Sequence, residues 1–336
     1  MILLRNEKRR VLFKDTLLFL PFWGRGKPKA PFVLPPHRIF KKRNYISFPW
    51  EEIFLEYKTL LAAGGDRRPK WALPVLRRGS WRLDTLGLGE GEASGFSYDG
   101  LVLPLPALRN EKVPTLEGPP LELIPLLSRL KPGALVVGGS FSAKSRQTIQ
   151  SLGYPVEDVM ERERLVWENA KLTAQAVPVL LGMEDGIFLR GKSVLVMGGG
   201  RVARALWPVL KERGAVVSAA ARNPAQLALA EQAGVKAVPF AEMEPALGQA
   251  DLVINTIPAP VIGRRELAAL EEGTLVLDLA SAPGGVDFAA AKEYFIPARL
   301  ELGLPGKWFP VQAGRLLGET VREILEEHWE KGGNRQ

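Results

Sequence analysis

The 336-residue chain carries 45 Lys and Arg against 37 Asp and Glu, with 46% apolar residues, no cysteine and two histidines. Its length and apolar content fit two globular domains, and the absence of cysteine excludes disulfides, thiolate metal sites and a cysteine nucleophile. The net charge of +8 does not mark a nucleic-acid binder, because residues 1–50 hold twelve Lys or Arg and two acids, leaving the remainder at −2. His37 and His328 lie near opposite ends, so proton transfer falls to Lys, Tyr, a carboxylate, water or the substrate itself. The cysteine usage fits a reducing, cytoplasmic setting.

Residues 1–56 combine basic clusters, prolines and scattered aromatics without a sustained period of 2 or 3.6. They read as a basic, poorly ordered extension. The apolar stretch at 16–23 lacks a small-residue cleavage site and is followed by Lys41-Lys42-Arg43, which speaks against a signal peptide. No run reaches the roughly 18–20 apolar residues of a membrane span, so no membrane partner is expected.

From residue 57 the pattern becomes α/β, predicting an N-terminal α/β domain over 57–160. A strand at 57–63 ends in Gly64-Gly65-Asp66-Arg67-Arg68, a turn rich in backbone donors and cations. A helix follows at 71–77, then a strand at 100–105 and a helix at 121–130. A strand at 133–137 runs into Gly138-Gly139-Ser140, ahead of a helix at 143–152. A long amphipathic helix at 161–183, within a linking segment 161–186, places Asn169 and Thr173 at i, i+4 on one face. Those two residues serve either solvent or a substrate in a cleft between domains.

The second domain, 187–309, opens on a buried strand, 193–197, that runs into Gly198-Gly199-Gly200-Arg201-Val202-Ala203 and a helix through Arg213. Gly198, Gly200 and Ala203 stand at the three small-residue positions of a dinucleotide-binding turn. The first permits the turn, the second lets phosphates approach the backbone, and the third lets helix and strand pack closely. Pro208 inside this helix removes a hydrogen bond, and a kink near Arg204 or an altered helix start is expected rather than loss of the domain. Further strands are predicted at 215–220, 251–255, 274–279 and 295–299, with Asn223 and Pro224 starting a helix between the first two. A closing helix at 312–327 belongs to a C-terminal segment, 310–336. The fold class is therefore α/β: two Rossmann-like parallel-sheet domains joined by a long helix. Ligands of such sheets bind outside the carboxyl ends of strands, which directs attention to the loops after Asn255, Leu279 and Leu302.

A carboxylate at the end of the second strand selects NAD, but no acid occurs between Glu212 and Glu231. Arg222 stands there instead and suits the 2′-phosphate of NADP, with Arg201 as a second cation in the phosphate turn. The cofactor-binding set is Gly198, Gly200, Arg201, Val202, Ala203 and Arg222, with Thr256, Ile257, Pro258, Leu279 and Ala280 lining the nicotinamide side.

Four stretches resemble the dipicolinate synthase A-subunit family. They are Asn169-Ala170-Lys171-Leu172-Thr173, Asn255-Thr256-Ile257-Pro258, the run from Asp278 through Ser281, Pro283, Gly284 and Gly285 to Phe288, and Gly303-Leu304-Pro305-Gly306-Lys307 with Pro310, Ala313 and Gly314. The resemblance covers about 57–327. It implies an oxidoreductase that works with a second, flavoprotein-like B-subunit in sporulating cells. With NADP⁺ it would convert the dihydrodipicolinate synthase product, a small dianion, to dipicolinate. It places substrate contacts on Arg67, Ser140, Asn169, Thr173, Ser281 and Lys307, the last four also as catalytic candidates, and no metal. Gln175 stands where the resemblance leads one to expect Glu, and residues 1–56 have no counterpart. One rival reading is another NADP-dependent reductase of shikimate-dehydrogenase-like architecture. The other is a non-catalytic, NADP-binding regulatory subunit. Self-association stays open.

Overall fold

Apolar runs separated by glycine turns build two parallel sheets in the computed structural model, which describes residues 57–333 except 90–92, 94 and 96. The predicted N-terminal extension lies outside the described residues. In chain order the first part comprises β1 (Lys58–Ala63), α1 (Pro69–Leu76), β2 (Trp81–Leu86), β3 (Tyr98–Val102), β4 (Lys112–Val113), β5 (Leu121–Glu122), α2 (Leu123–Leu127), β6 (Leu130–Gly138), α3 (Ala143–Ser151) and β7 (Val156–Asp158). Helix α4 (Glu163–Glu184) leads to β8 (Ser193–Met197), α5 (Arg201–Glu212), β9 (Val216–Ala221), α6 (Pro224–Gln232), β10 (Lys236–Pro239), α7 (Glu244–Leu247) and β11 (Leu252–Asn255). The chain closes through α8 (Arg264–Ala268), β12 (Leu275–Asp278), α9 (Phe288–Glu293), β13 (Ala298–Leu300), α10 (Leu304–Trp308) and α11 (Pro310–Gly333).

The first sheet runs β2-β1-β3-β6-β7 and the second β10-β9-β8-β11-β12-β13, with all pairings parallel. Central strands such as β11, Leu-Val-Ile-Asn, are buried along their whole length, as a sheet covered on both faces requires. Each order reverses once, between β1 and β3 in the first sheet and between β8 and β11 in the second. At such a point the loops part at the carboxyl ends of the strands and leave a crevice. The fold thus has two such reversals, one per sheet.

Sequence and structure differ where local signals compete. The helix predicted at 121–130 is confined to α2. Leu121 pairs with Val113 across β4 and β5, and Leu130 already joins β6 opposite Tyr98. The strand predicted at 295–299 begins at Ala298, because Phe295 turns the chain at φ +55°. Short edge strands β2, β7 and β10 escaped prediction, since they alternate weakly and carry polar residues.

Helix α5 continues to Glu212 past Pro208 without a break. Pro208 and Arg204 are both exposed, so water can solvate the Arg204 carbonyl that lost its helical donor. Pro208→Ala restores that donor. It is expected to stabilise the protein by about 1 kcal/mol and raise Tm by about 2–4 °C. A thermal melt showing no rise would mean that the proline costs nothing here.

The apolar side of α11, with Leu317, Val321, Ile324 and Leu325, packs into the first sheet's cluster beside Leu60, Leu73 and Leu76. The approach to α1 is close: a Cβ at Gly318 would lie 2.8 Å from the Ala72 carbonyl oxygen, and one at Gly314 would overlap that of Arg68. Among the described residues no helix is long and apolar enough to cross a membrane.

Candidate functional site

The second sheet's crevice is built around the β8–α5 turn. Gly198 adopts φ +107°, and a Cβ there would overlap the hydroxyl of Thr256, which donates to the Met197 carbonyl at 2.8 Å. The turn and the loop after β11 therefore close on each other only because residue 198 has no side chain. Gly200 caps α5 with ordinary extended angles, φ −75° and ψ −172°, and no side chain caps the helix. A Cβ at Gly200 would meet nothing within 4 Å. The chain itself does not require glycine there, whereas a pyrophosphate approaching the free N–H groups of Arg201, Val202 and Ala203 would. Ala203 is fully buried in the packing between α5 and the sheet. The residues present thus fit a dinucleotide.

Arg201 is the first residue of α5, in the expected turn, and its side chain is paired. Its guanidinium forms a paired ion contact with Glu163 at the start of α4, Nε to Oε1 at 3.0 Å and Nη2 to Oε2 at 2.6 Å. This hydrogen-bonded pair holds the Glu163 carboxyl below its ordinary pKa and Arg201 above its own. Arg201 thus stands in the turn as one member of an exposed ion pair rather than as an unpaired cation. Arg222, beyond β9, has no carboxylate partner among the described residues, and its guanidinium stacks 4.6 Å over the ring of Phe240.

The loops after β11 and β12 are held by one buried carboxylate. Asp278 is fully buried; its Oδ1 accepts from Asn255 Nδ2 at 2.8 Å and from the Ala280 N–H at 3.0 Å. Its Oδ2 accepts from the Gly285 N–H at 2.8 Å. Asn255, equally buried, donates to the Ile257 carbonyl and accepts from the Ile257 N–H, each at 3.0 Å. A side chain at Gly285 would collide with Asn255 Nδ2. The Asp278–Gly285 run is thus a closed hydrogen-bonded loop that fixes Thr256, Ile257, Pro258, Leu279 and Ala280 around the strand ends. Ser281 is exposed on it.

On the first sheet, Arg67 is exposed at the reversal between β1 and β3. Its neighbour Arg68 is buried, with Nη2 at 2.7 Å from Asp66 Oδ2 and a further bond to the Leu105 carbonyl. Ser140 holds the left-handed φ of +57°, a conformation costly for a residue other than glycine. Asp158, also buried, accepts its N–H and that of Phe141, each at 2.9 Å. The neighbouring Gly139 and Ala107 join the Ser140 loop to the loop after β3, the same loop that Arg68 binds. Arg67 and Ser140 therefore stand on loops with a common support.

Helix α10 ties the two parts together. A Cβ at Gly306 would lie 2.8 Å from Asp66 Oδ2 and 3.0 Å from Arg68 Nε, while Leu304 joins Ala170, Ala174 and Leu279 in one apolar cluster. The latter contact brings the Asn169–Thr173 turn of α4 beside the end of β12. The Thr173 hydroxyl donates to the Asn169 carbonyl at 2.9 Å, which leaves its oxygen as an acceptor. Lys307 Nζ is 2.9 Å from Glu301 Oε2 and is not an unpaired cation. Gln175 lines a groove with Trp167, Lys171 and Arg204. Two residues on a helix turn through about 200°, so it faces away from Thr173.

Sequence reasoning missed Arg68, Asp158, Phe240 and Glu163. The paired Arg67-Arg68 was visible, but a turn has no periodicity to say which arginine is buried. The other three act across 17 or more residues of chain.

The order β10-β9-β8-β11-β12-β13, the free helix start after Gly200 and the second parallel sheet define a Rossmann-like architecture of two parallel sheets. No protein-family model matches the chain. It is 33% identical over 171 residues to the dipicolinate synthase A-subunit of Bacillus subtilis (strain 168), a match over 50% of this chain and 57% of that protein. The match thus spans a little over half the length of that curated relative. The dipicolinate synthase A-subunit of Bacillus halodurans superposes with a TM-score of 0.74 at 26% identity, over 80% of this chain and 97% of that one. A transhydrogenase from Sinorhizobium meliloti shares the fold, with a TM-score of 0.59 at 16% identity over 81% of this chain and 94% of that one. In sequence and in fold the chain is thus similar to dipicolinate synthase A-subunits.

Proposed function

We propose that the chain is the NADP-dependent dehydrogenase subunit of a dipicolinate synthase. It would act in the cytoplasm of sporulating cells, paired with a B-subunit, on the dianionic product of dihydrodipicolinate synthase. The observation that carries the cofactor reading is the open helix start at Gly200 together with Arg222, a cation where an NAD site has a carboxylate. Gly198, Gly200, Val202 and Ala203 would hold the pyrophosphate, and Arg222 the 2′-phosphate. Thr256, Ile257, Pro258, Leu279 and Ala280 would line the nicotinamide end.

When bound, NADP⁺ accepts the hydride that leaves a ring carbon of the substrate. From dihydrodipicolinate a proton leaves the neighbouring ring carbon to solvent, so two electrons and two hydrogens depart and the ring becomes aromatic; its hydrated precursor must lose water as well. Aromatisation supplies driving force, which lessens the need for a strong protein base. The chain's own residues bind and orient a dianion: Arg67 and Ser140 from the first crevice, Asn169 and Thr173 from α4, Ser281 and Lys307 from the second sheet's loops. Lys307 would do so as a member of its pair with Glu301.

The test mixes the protein, alone and with the B-subunit, with freshly made dihydrodipicolinate synthase product and NADP⁺. Dipicolinate formed above the enzyme-free rate is the expected result; NADPH binding without turnover would mark a regulatory subunit instead. Arg222→Ala is expected to weaken NADPH binding at least about tenfold and NADH binding by much less. Tighter binding of NADH than NADPH by the unaltered protein would overturn the cofactor assignment.

A further inference from the structure

We infer that Phe240 sets the orientation of Arg222, so that discrimination at the adenosine end of the dinucleotide depends on an aromatic side chain from the neighbouring strand. The inference rests on the NADP reading above and extends it to a positioning residue.

Strands β9 and β10 pair with Ala221 opposite Pro239. The next residue on each, Arg222 and Phe240, therefore emerges side by side at the carboxyl edge of the sheet. An arginine on an exposed turn otherwise samples many rotamers, because four torsions separate its guanidinium from the backbone. Here the guanidinium carbon lies 4.6 Å from the ring centroid. Phe240 is itself anchored, half-buried against the cluster that includes Val238, Met243 and Leu247. Stacking occupies one face of the guanidinium. It leaves the other face for a flat base and the N–H edge for an anion.

The surrounding cavity supports this use. Arg222 and Phe240 line it together with Pro260, Ile262 and Gly284. Its two carboxylates are turned to backbone donors: Glu266 Oε2 accepts the Gly263 N–H at 3.0 Å, and Asp287 Oδ1 accepts the Ala290 N–H at 2.9 Å. Asn223 is likewise committed, its Oδ1 accepting from the Ala225 N–H at 2.8 Å. Arg222 is thus the group on this wall whose charge is left for a ligand.

The experiment measures the affinities of NADPH, NADH and 2′-AMP for the full chain by equilibrium titration. It compares the unaltered protein with Phe240→Leu, Phe240→Tyr, Arg222→Ala and the double variant Phe240→Leu/Arg222→Ala. Phe240→Leu is expected to weaken NADPH and 2′-AMP about two- to fivefold, the range of an exposed cation–π contact, and NADH by less than that. Phe240→Tyr keeps the ring face and retains the unaltered affinities. Once Arg222 is alanine, the Phe240→Leu change has no further effect, a coupling that a loss of general packing would not produce. Equal losses in both backgrounds, or no loss in either, would overturn the role of Phe240. An unaltered protein without NADPH preference would sink the NADP reading together with this inference. Should Phe240→Leu fold poorly, Arg222→Lys decides the point. It keeps the charge and loses the flat stack, so NADPH affinity equal to the unaltered protein's would count against the inference.

Discussion

Asp278→Ala is expected to lower stability by about 3–5 kcal/mol, the range seen when a buried, fully used charged acceptor is removed. The side chain is fully buried and accepts three hydrogen bonds, from Asn255, Ala280 and Gly285. Alanine leaves those three donors facing each other without an acceptor, in a loop too tightly closed around Gly285 to admit a substitute side chain. Asp278→Asn keeps one carbonyl oxygen but must turn its amide toward a donor. It should fall between the unaltered protein and Asp278→Ala. Chemical denaturation followed by circular dichroism measures the difference, and a titration with NADPH should show binding lost along with the loop. A loss below about 1 kcal/mol for Asp278→Ala would mean that water replaces the carboxylate, and that the loop is less closed than its hydrogen bonds indicate.

The same residue shows where sequence reading stops. The Asp278–Phe288 run was legible as unusual, because an ordinary parallel sheet has no need of it. Its physical purpose was not, since the bonds that explain it reach back 23 residues to Asn255 and forward seven to Gly285. The β8–α5 turn was legible in full, because strand, close-packing glycine and helix are consecutive and each leaves a local mark. The pairing of Arg201 was not legible for the opposite reason: its partner Glu163 lies 38 residues away on another element. The apolar side of α11 was readable from Leu316, Leu317, Val321, Ile324 and Leu325. That it covers the first sheet rather than the second was not, because periodicity names a buried face without naming its partner. The edge strand β2 was missed as Trp-Arg-Leu-Asp-Thr-Leu, whose polar residues suit a sheet edge and conceal a strand from an apolar pattern.

Gly200→Ala should separate folding from binding. The backbone at Gly200 is one that any residue adopts, and a Cβ there meets no atom within 4 Å. The stability cost is expected to be about 1 kcal/mol or less, the amount by which alanine is a poorer helix cap than glycine. NADPH affinity, by contrast, is expected to fall at least about 30-fold, because the methyl group occupies the approach of the pyrophosphate to the N–H groups of the first turn. Gly198→Ala makes the comparison sharp. Its Cβ would overlap the Thr256 hydroxyl, and φ +107° strains any side chain, so that variant should lose stability and binding together. Thermal melts and NADPH titrations on the two proteins distinguish the cases. If Gly200→Ala binds NADPH as tightly as the unaltered protein, the open space before α5 is not where the phosphates lie, and the dinucleotide must enter this sheet by another route.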